Sequence, residues 1–494
     1  MGSKGKAKTP ISAWKPKNHL LVVLSDQGAQ KRFSPEGLGL RSRDRTWNPW
    51  AASFLSVNRP QLASLGVEAS LDAGRDAVEM FLRPGGIVGA VPLRSPDTHK
   101  VLGGIVVKPR FGWNDIGPLL SATEWAASPE ILSFPLVPGS SREVPPWVLA
   151  GPIVYRLKAI LREITRGFRL HEEVRQVPRG QIIWSKYCAH HLPRGAFHTL
   201  PCRFPELGPD QVLLSHIRWG LGRVGVSLAA RAQVDVIARR LLDEVTLMIR
   251  DLADIQPKAP THQVLDRILM GTSLPAAVLR RGIEALSWVV DERGLAGQSE
   301  NDGLSWRLPM HDLFERWVES LVRTWSRDFG GQVTTAQKGD ARFPLRWERT
   351  GLGSLTALAP DIVVKTGDTV YIFDAKYKRH LQELDEWQWR ELEDELRAEH
   401  RHDVHQVLAY AALFDAPRIV SVLVYPMYLE TWSKLSERGR TVTRAVLPGV
   451  DRQVEIALVG VPLHLQPGAH VRDVVSIWDS LRLGNDNPGS EGGF

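Results

Sequence analysis

Apolar residues change their spacing along this chain, and each change predicts a different kind of structure. From residue 19 to about 147, short apolar runs alternate with Gly, Pro and Asn. HLLVVLS (19–25), GGIVGAVPL (85–93) and KVLGGIVVKPR (100–110) read as strands, so a β-rich first domain is expected. Pro, Gly and Ser accumulate across PLVPGSSREVPPW (135–147), which predicts a linker. Helical spacing follows in VYRLKAILREITRGF (154–168), LLSHIRWGL (213–221), SLAARAQVDVIARRLLDEVTLMIRDL (227–252) and HQVLDRILMG (262–271). Residues 175–206 carry no regular period and are expected to be irregular. The last third opens on an amphipathic helix, MHDLFERWVESLVRTW (310–325). It continues through extended segments, a hairpin, an acidic helix, the helix VHQVLAYAALF (404–414) and the strand IVSVLVYP (419–426). Helices surrounding a small sheet make an α/β unit.

These patterns predict an α+β multidomain chain. Residues 1–18 form a basic tail, 19–150 a β-rich domain that binds a partner or DNA, and 151–308 a mainly helical domain. Residues 309–480 form an α/β domain and 481–494 a Gly-rich tail.

Chemistry concentrates in the hairpin. Pro360-Asp361-Ile362-Val363-Val364 and Val370-Tyr371-Ile372-Phe373-Asp374-Ala375-Lys376 flank a Gly367-Asp368 pair. Gly in first place is the preference of a type II′ turn. With those two residues at the turn, Asp361 falls opposite Asp374, their Cβ atoms about 4.5–5.5 Å apart. Lys376 leaves the same face, two residues on. A sheet normally avoids two opposed carboxylates. A divalent cation resolves the repulsion, and hard oxygen ligands suit Mg²⁺ or Mn²⁺. Such an ion polarises a phosphate and activates water, while a nearby ammonium stabilises developing charge. An Asp-x-Lys alone is common on solvated strands; an acid in register on the facing strand is not. Glu315 sits on the preceding helix, whose apolar face is Leu313, Phe314, Trp317, Leu321 and Val322. Gln406 and Tyr410 stand four apart on one helical face.

Composition sharpens this picture. The 494 residues exceed what one core organises. No apolar run is long enough to cross a bilayer, and no secretory signal follows the N-terminal lysines. Two cysteines exclude a disulfide scaffold and point to the cytoplasm. Net charge is +7, but residues 382–399 carry a balance of −6, leaving +13 on the remainder. A basic surface favours a polyanionic partner.

Leu-Phe-Glu at 313–315, Pro-Asp at 360–361, Asp-Ala-Lys-Tyr-Lys at 374–378 and Gln-x-x-x-Tyr at 406–410 resemble the nuclease domain of the McrC family. That family supplies the nuclease subunit of McrBC-type modification-dependent restriction systems and has a PD-(D/E)xK fold. Val177-Pro178-Arg179-Gly180, Leu200-Pro201-Cys202-Arg203-Phe204 and Ile105-Val106-Val107-Lys108-Pro109 are similar to its upstream regions. The resemblance implies an endodeoxyribonuclease of prokaryotic antiviral defence. It makes Asp361, Asp374 and Lys376 the catalytic trio, with Glu315 as a further metal-site acid. Gln406, Tyr410 and Lys378 would support the site or bind nucleic acid. It also implies DNA as substrate, Mg²⁺ or Mn²⁺ as cofactor, and an AAA+ NTPase partner of the McrB GTPase type. No G-x-x-x-x-G-K-[ST] occurs here, so the motor is expected on another chain. The acidic insertion at 382–399 matches nothing in the family. Two other readings are a PD-(D/E)xK nuclease for transposon ends or RNA, and a non-catalytic adaptor that binds nucleic acid or stimulates an NTPase.

Two further clusters invite functional readings. Cys188, His190, His191, His198 and Cys202 fall within fifteen residues, but their spacing fits no zinc pattern, and buried or surface positions account for them better. Arg162, Arg166, Arg169, Arg175 and Arg179 form a basic run that either tracks phosphates or is a solvated helix face.

Overall fold

The computed structural model describes residues 20–33, 47–73, 78–135, 137, 145, 147–164, 167–208, 210–271, 275–291, 305–336, 341–348, 355–378, 394–447, 452–463 and 471–482. The tail 1–18, most of the linker, residues 382–393 of the acidic stretch and residues 483–494 lie outside these. The architecture is mixed α+β, with several sheets.

In the N-terminal part the three expected strands form as Leu20–Ser25, Ile87–Arg94 and Val101–Lys108. A second, three-stranded sheet of Lys31–Phe33, Val67–Ala73 and Val78–Pro84 accompanies them. The helix Trp47–Ser64 was not legible as one. Its buried stripe runs through Ala51, Phe54, Asn58, Leu62 and Leu65, so a polar residue breaks the apolar spacing. Asn58 is satisfied inside the fold: its amide donates to Phe54 O and Arg94 O (both 2.9 Å) and accepts from Arg94 N–H (2.7 Å). Pro60 lies inside this helix, where its ring removes one backbone hydrogen bond and further obscures the helix in the sequence.

The expected boundaries cut through elements. Helix Trp147–Glu163 spans residue 150, and helix Asp479–Arg482 spans residue 480. Strand Trp306–Pro309, at the 308 boundary, joins the N-terminal sheet beside Ile87–Ala90. One hydrophobic core runs from Val88 through Trp147 and Leu221 to Trp317 and Trp478, which is why no boundary is clean.

The middle of the chain is largely helical, with two corrections. Residues 227–252 are not one helix: Gln211–Ala229 ends and Val236–Asp251 begins afresh. Asp235 makes the break by accepting from Ile237 and Ala238 N–H (2.9 and 3.1 Å), which satisfies the new helix's first donors. Residues 175–206 are not irregular either. Strand Leu200–Gly208 pairs antiparallel with Gly167–Arg175 and with Gln181–Ile182, and a short helix, Trp184–His190, lies between. The basic run therefore does not share a helical face, since helix gives way to strand between Arg162 and Arg169.

The C-terminal part is a six-stranded mixed sheet in the order Gln332–Thr335, Ile362–Thr366, Thr369–Ala375, Arg418–Met427, Gln453–Pro462, Val442–Val446. Helix Met310–Arg327 covers one face with Leu313, Phe314, Trp317, Leu321 and Val322 fully buried, as its spacing predicts. The other face carries helix Asp394–Ala411, in which the end of the acidic stretch and the following helix are continuous rather than separate. Among the described residues no helix is long and apolar enough to cross a membrane.

Candidate active site

The central hairpin has the register that its turn dictates. Gly367 takes φ 51° and Asp368 does not take a positive φ, which is the II′ pattern. Thr366 then faces Thr369, and Ile362 faces Phe373. Alternation along the strand sorts its side chains. Tyr371 and Phe373 pack against Trp325, at 5.1 and 5.7 Å between ring centroids. Val370 and Ile372 join Tyr410 and Ala411 in the core beneath the second helix. Asp374 continues this second parity and is drawn under the same helix, 1% exposed. Asp361 lies one step beyond the last paired residue. Its Oδ2 accepts from Ala375 N–H at 2.9 Å, which fixes it at the end of the strand Thr369–Ala375.

Glu315, Asp361, Asp374, Lys376, Lys378 and Gln406 all line one cleft of about 400 Å³, together with His311, Gln27, Gly86 and Ile87. Burial and the neighbouring Asp374 and Glu315 push the Asp361 carboxyl up to about 8. Burial also raises Asp374, against the pull of Lys376. The Lys376 ammonium lies 2.6 Å from Asp374 Oδ2. Burial would strip its proton, but Asp374, Asp403 and Asp361 outweigh that and hold its pKa above the ordinary lysine value. It also donates to Gln406 Oε1 at 2.8 Å, and Gln406 Nε2 donates to the Tyr410 hydroxyl at 2.8 Å. Lysine has only donors, so the amide must turn its oxygen to Lys376 and its NH₂ to Tyr410. The supporting pair is thus an orienting relay for the lysine. Lys378 is held apart from it, donating to both oxygens of Asp403 at 3.1 Å and lying 3.4 Å from Glu399.

Among the described residues no three His, Cys, Asp or Glu side chains stand close enough to cage an ion. That count is compatible with Mg²⁺, which binds through one or two carboxylates and fills its remaining positions with water and substrate phosphate. Asp361 and Asp374 are the donors that fit, both protonated more readily than solvated acids, burial being the first cause in each case, with Glu315 on the cleft wall. The cysteine–histidine cluster forms no such group. Cys188 is exposed, Cys202 is buried, and His191 Nδ1 is engaged by Thr199 Oγ1 at 2.7 Å.

Sequence reasoning missed several residues of the cleft and its immediate surroundings. His311 was available to it, one helical turn before Glu315; its pKa is raised by the hydrogen bond it donates to Asp312, with burial opposing and the charges of Asp312, Glu315 and Asp361 adding. Asp403, buried against Lys378, gave no signal beyond its place one turn before Gln406. Gln27 and Gly86 are brought in from the far end of the chain, and no local pattern announces such a contact.

Two solved structures share a distant likeness with the chain. One is a half-complex from a tetradecameric assembly of Thermococcus gammatolerans McrB AAA+ hexamers with bound McrC, at 14% identity, covering 94% of this chain and 99% of that chain with a TM-score of 0.40. The other is the cryo-EM structure of the Thermococcus gammatolerans McrBC complex, at 14% identity, covering 62% and 88% with a TM-score of 0.27. Among curated proteins none matches. The model of the McrBC 5-methylcytosine restriction system component family matches residues 148–426, more than half of the 494. That span runs from the first helix of the middle region through the hairpin, its lysine and the Gln406–Tyr410 relay, and the chain belongs to this family.

Proposed function

We propose that this chain is the Mg²⁺-dependent endonuclease subunit of a McrBC-like prokaryotic defence system, with its C-terminal sheet acting as a PD-(D/E)xK nuclease domain. One observation carries the reading: two carboxylates, the buried Asp374 and the half-buried Asp361, are held opposite each other at a cleft, with a charged lysine 2.6 Å from Asp374. Burying two like charges together is costly unless something of opposite charge joins them. An adaptor without activity gains nothing from that cost, and its site would be expected to relax.

A bound Mg²⁺ or Mn²⁺, held by Asp361 and Asp374 with Glu315 nearby, would polarise the scissile phosphate and lower the pKa of an attacking water. The residues of the chain do the rest. Lys376 keeps its proton and offers it toward charge gathering on the phosphate, where a fixed ammonium in a low-dielectric site counts for far more than in water. Gln406 and Tyr410 hold the ammonium in place without competing for the phosphate. Lys378 and His311 add positive charge at the rim.

The family is defined as a component of a restriction system, and we assign the motor role to a separate AAA+ NTPase of the McrB type, the class to which the Thermococcus gammatolerans McrC is bound. Duplex DNA is the proposed substrate and the cytoplasm the proposed site of action. The test is cleavage of duplex DNA and of RNA with Mg²⁺ or Mn²⁺, with and without the AAA+ partner, for wild type and Asp374→Ala. DNA cleavage that depends on the partner and vanishes in the variant, while binding across a salt series persists, is the expected result. Rapid cleavage without a partner, or preference for RNA, would replace the restriction reading with that of a free-standing or RNA-directed nuclease. Wild-type rates in Asp374→Ala would remove the nuclease assignment altogether.

A further inference from the structure

One wall of the cleft comes from the N-terminal sheet, and its construction is unusual. Among the described residues strand Leu20–Ser25 pairs only with Val101–Lys108, and it ends at a buried acid, Asp26. Asp26 is held from three directions. Its N–H donates to Lys108 O at 2.9 Å, Oδ1 accepts from Arg110 N–H, and Oδ2 accepts from the Tyr377 hydroxyl at 2.7 Å. Tyr377 is the residue between Lys376 and Lys378. It faces the opposite side of the strand end, 5% exposed, against Phe111 and Phe314 and beneath the Arg110 guanidinium, 4.6 Å above its ring. The N-terminal sheet and the end of the strand Thr369–Ala375 are therefore locked together one residue away from the lysine.

The next residue, Gln27, is exposed and adopts φ 51°, a left-handed conformation that costs a non-glycine residue about 1 kcal/mol or more. Surroundings impose it. Gln27 N–H donates to Gly85 O at 3.0 Å, and Asp26 before it cannot move. Its side chain lies over Gly86, where an added Cβ would come within 3.2 Å of Gln27 Nε2; a side chain at 86 would crowd the amide out of the cleft. Gly86 O in turn accepts from Met310 N–H at 2.9 Å, at the start of the helix that carries Glu315. Among the described residues the Gln27 amide makes no hydrogen bond, although it lines the same cleft as Asp361, Asp374 and Lys376. A strained backbone that holds a solvent-facing donor at the mouth of a site is the arrangement expected of a ligand contact.

We propose that Gln27 is a substrate-positioning residue: its amide NH₂ donates to a backbone phosphate oxygen of the strand being cut, and the Asp26–Tyr377 hydrogen bond sets it against Lys376. The inference rests on the nuclease reading. A phosphate is the partner because the nuclease reading places a strand in this cleft, and phosphate contacts fix the register of a bound strand.

The experiment uses the full chain, with its AAA+ partner where cleavage requires one, on a duplex oligonucleotide with Mg²⁺. Gln27→Ala, Gln27→Gly and Gln27→Glu are compared with wild type and Asp374→Ala. Loss of a hydrogen bond to a charged oxygen raises KM about tenfold or more, with kcat little changed. Gln27→Glu should be worse still, and more so at low salt, because it sets a carboxylate against the phosphate. Gln27→Gly separates contact from architecture, since glycine accepts φ 51° without strain. If Gln27 only shapes the loop, Gln27→Gly keeps the wild-type KM, and the proposal is overturned. If it binds substrate, Gln27→Gly is as impaired as Gln27→Ala although its fold is at least as stable. A KM unchanged in all three, or a shift in preferred cutting sequence without a change in KM, also overturns it. Asp374→Ala at the wild-type rate, or a wild type that never cleaves, brings down the nuclease reading and this inference with it.

Discussion

Replacing Asp361 with Asn should turn the pH dependence of stability into a measurement of what burial and the neighbouring acids together cost an ionised carboxylate at the hairpin. In the folded chain without a cation Asp361 keeps its proton up to about pH 8; unfolded, it releases it near 3.8. Between those values the folded state binds more protons than the unfolded one, so stability falls as pH rises. One such group gives a slope of about 1.4 kcal/mol per pH unit, hence a loss of about 2 kcal/mol from pH 6 to 7.5. For a domain of this size that is roughly 4–8 °C in the midpoint of melting. Asp361→Asn cannot ionise, and its amide oxygen still accepts from Ala375 N–H. Melts in chelator, followed by tryptophan fluorescence, should show the wild type losing stability relative to Asp361→Asn across this range and the variant ending as the more stable protein. The reporter is well placed, since Trp325 packs on Phe373, the residue before Asp374. Added Mg²⁺ or Mn²⁺ should raise the wild-type midpoint most at high pH, where binding need displace no proton, and leave Asp361→Asn little affected. A difference between the two proteins that stays constant from pH 6 to 7.5 would refute the argument, because the carboxyl would then be ionised throughout.

Three further outcomes follow from the same packing. Gln406→Ala removes the acceptor that fixes Lys376, so cleavage should fall about tenfold or more while the melting midpoint barely moves; steady-state rates beside a melt check both halves. Tyr377→Phe deletes the hydroxyl that donates to Asp26 Oδ2 and should cost about 1–3 kcal/mol, read by denaturant titration. Trp325→Ala empties the space between Tyr371, Phe373 and Trp478 and should cost about 3–5 kcal/mol by the same measurement, with loss of cleavage following from unfolding rather than chemistry.

What could be read from the residues and what could not divides on sequence distance. The hairpin was legible because a two-residue turn fixes register, and register alone brings residues 361 and 374 together. Helix Met310–Arg327 was legible because its apolar stripe is unbroken, and Gln406 and Tyr410 because helical spacing puts residues four apart on one face. Helix Trp47–Ser64 was hidden by Asn58, a buried polar residue whose partners at Arg94 lie in a strand no local window contains. The pairing of 200–208 with 167–175 was hidden for a similar reason: the helix Trp184–His190 between them buries no residue, so it leaves no amphipathic trace. The break before Val236 was announced by Asp235, a capping residue overlooked inside a long apolar periodicity. Gln27 was beyond reach, because its place in the cleft depends on a hydrogen bond spanning 351 positions.

The strand Trp306–Pro309 has a consequence for how the chain is made. It closes the N-terminal sheet between Ile87–Arg94 and Glu130–Ile131, yet it leaves the ribosome about 210 residues after Arg94. At elongation rates of about 5–20 residues per second that is a delay of roughly 10–40 s, during which the inner edge of Ile87–Arg94 lacks this neighbour. The waiting edge is apolar through Val88, Ala90 and Val91, the kind that pairs with whatever strand arrives first. Nascent chains stalled before residue 305 should therefore be captured by chaperones or aggregate, whereas chains released after residue 310 should not. Fragments of the N-terminal region expressed alone should need residues 305–309 supplied, as a fused or added peptide, to remain in solution.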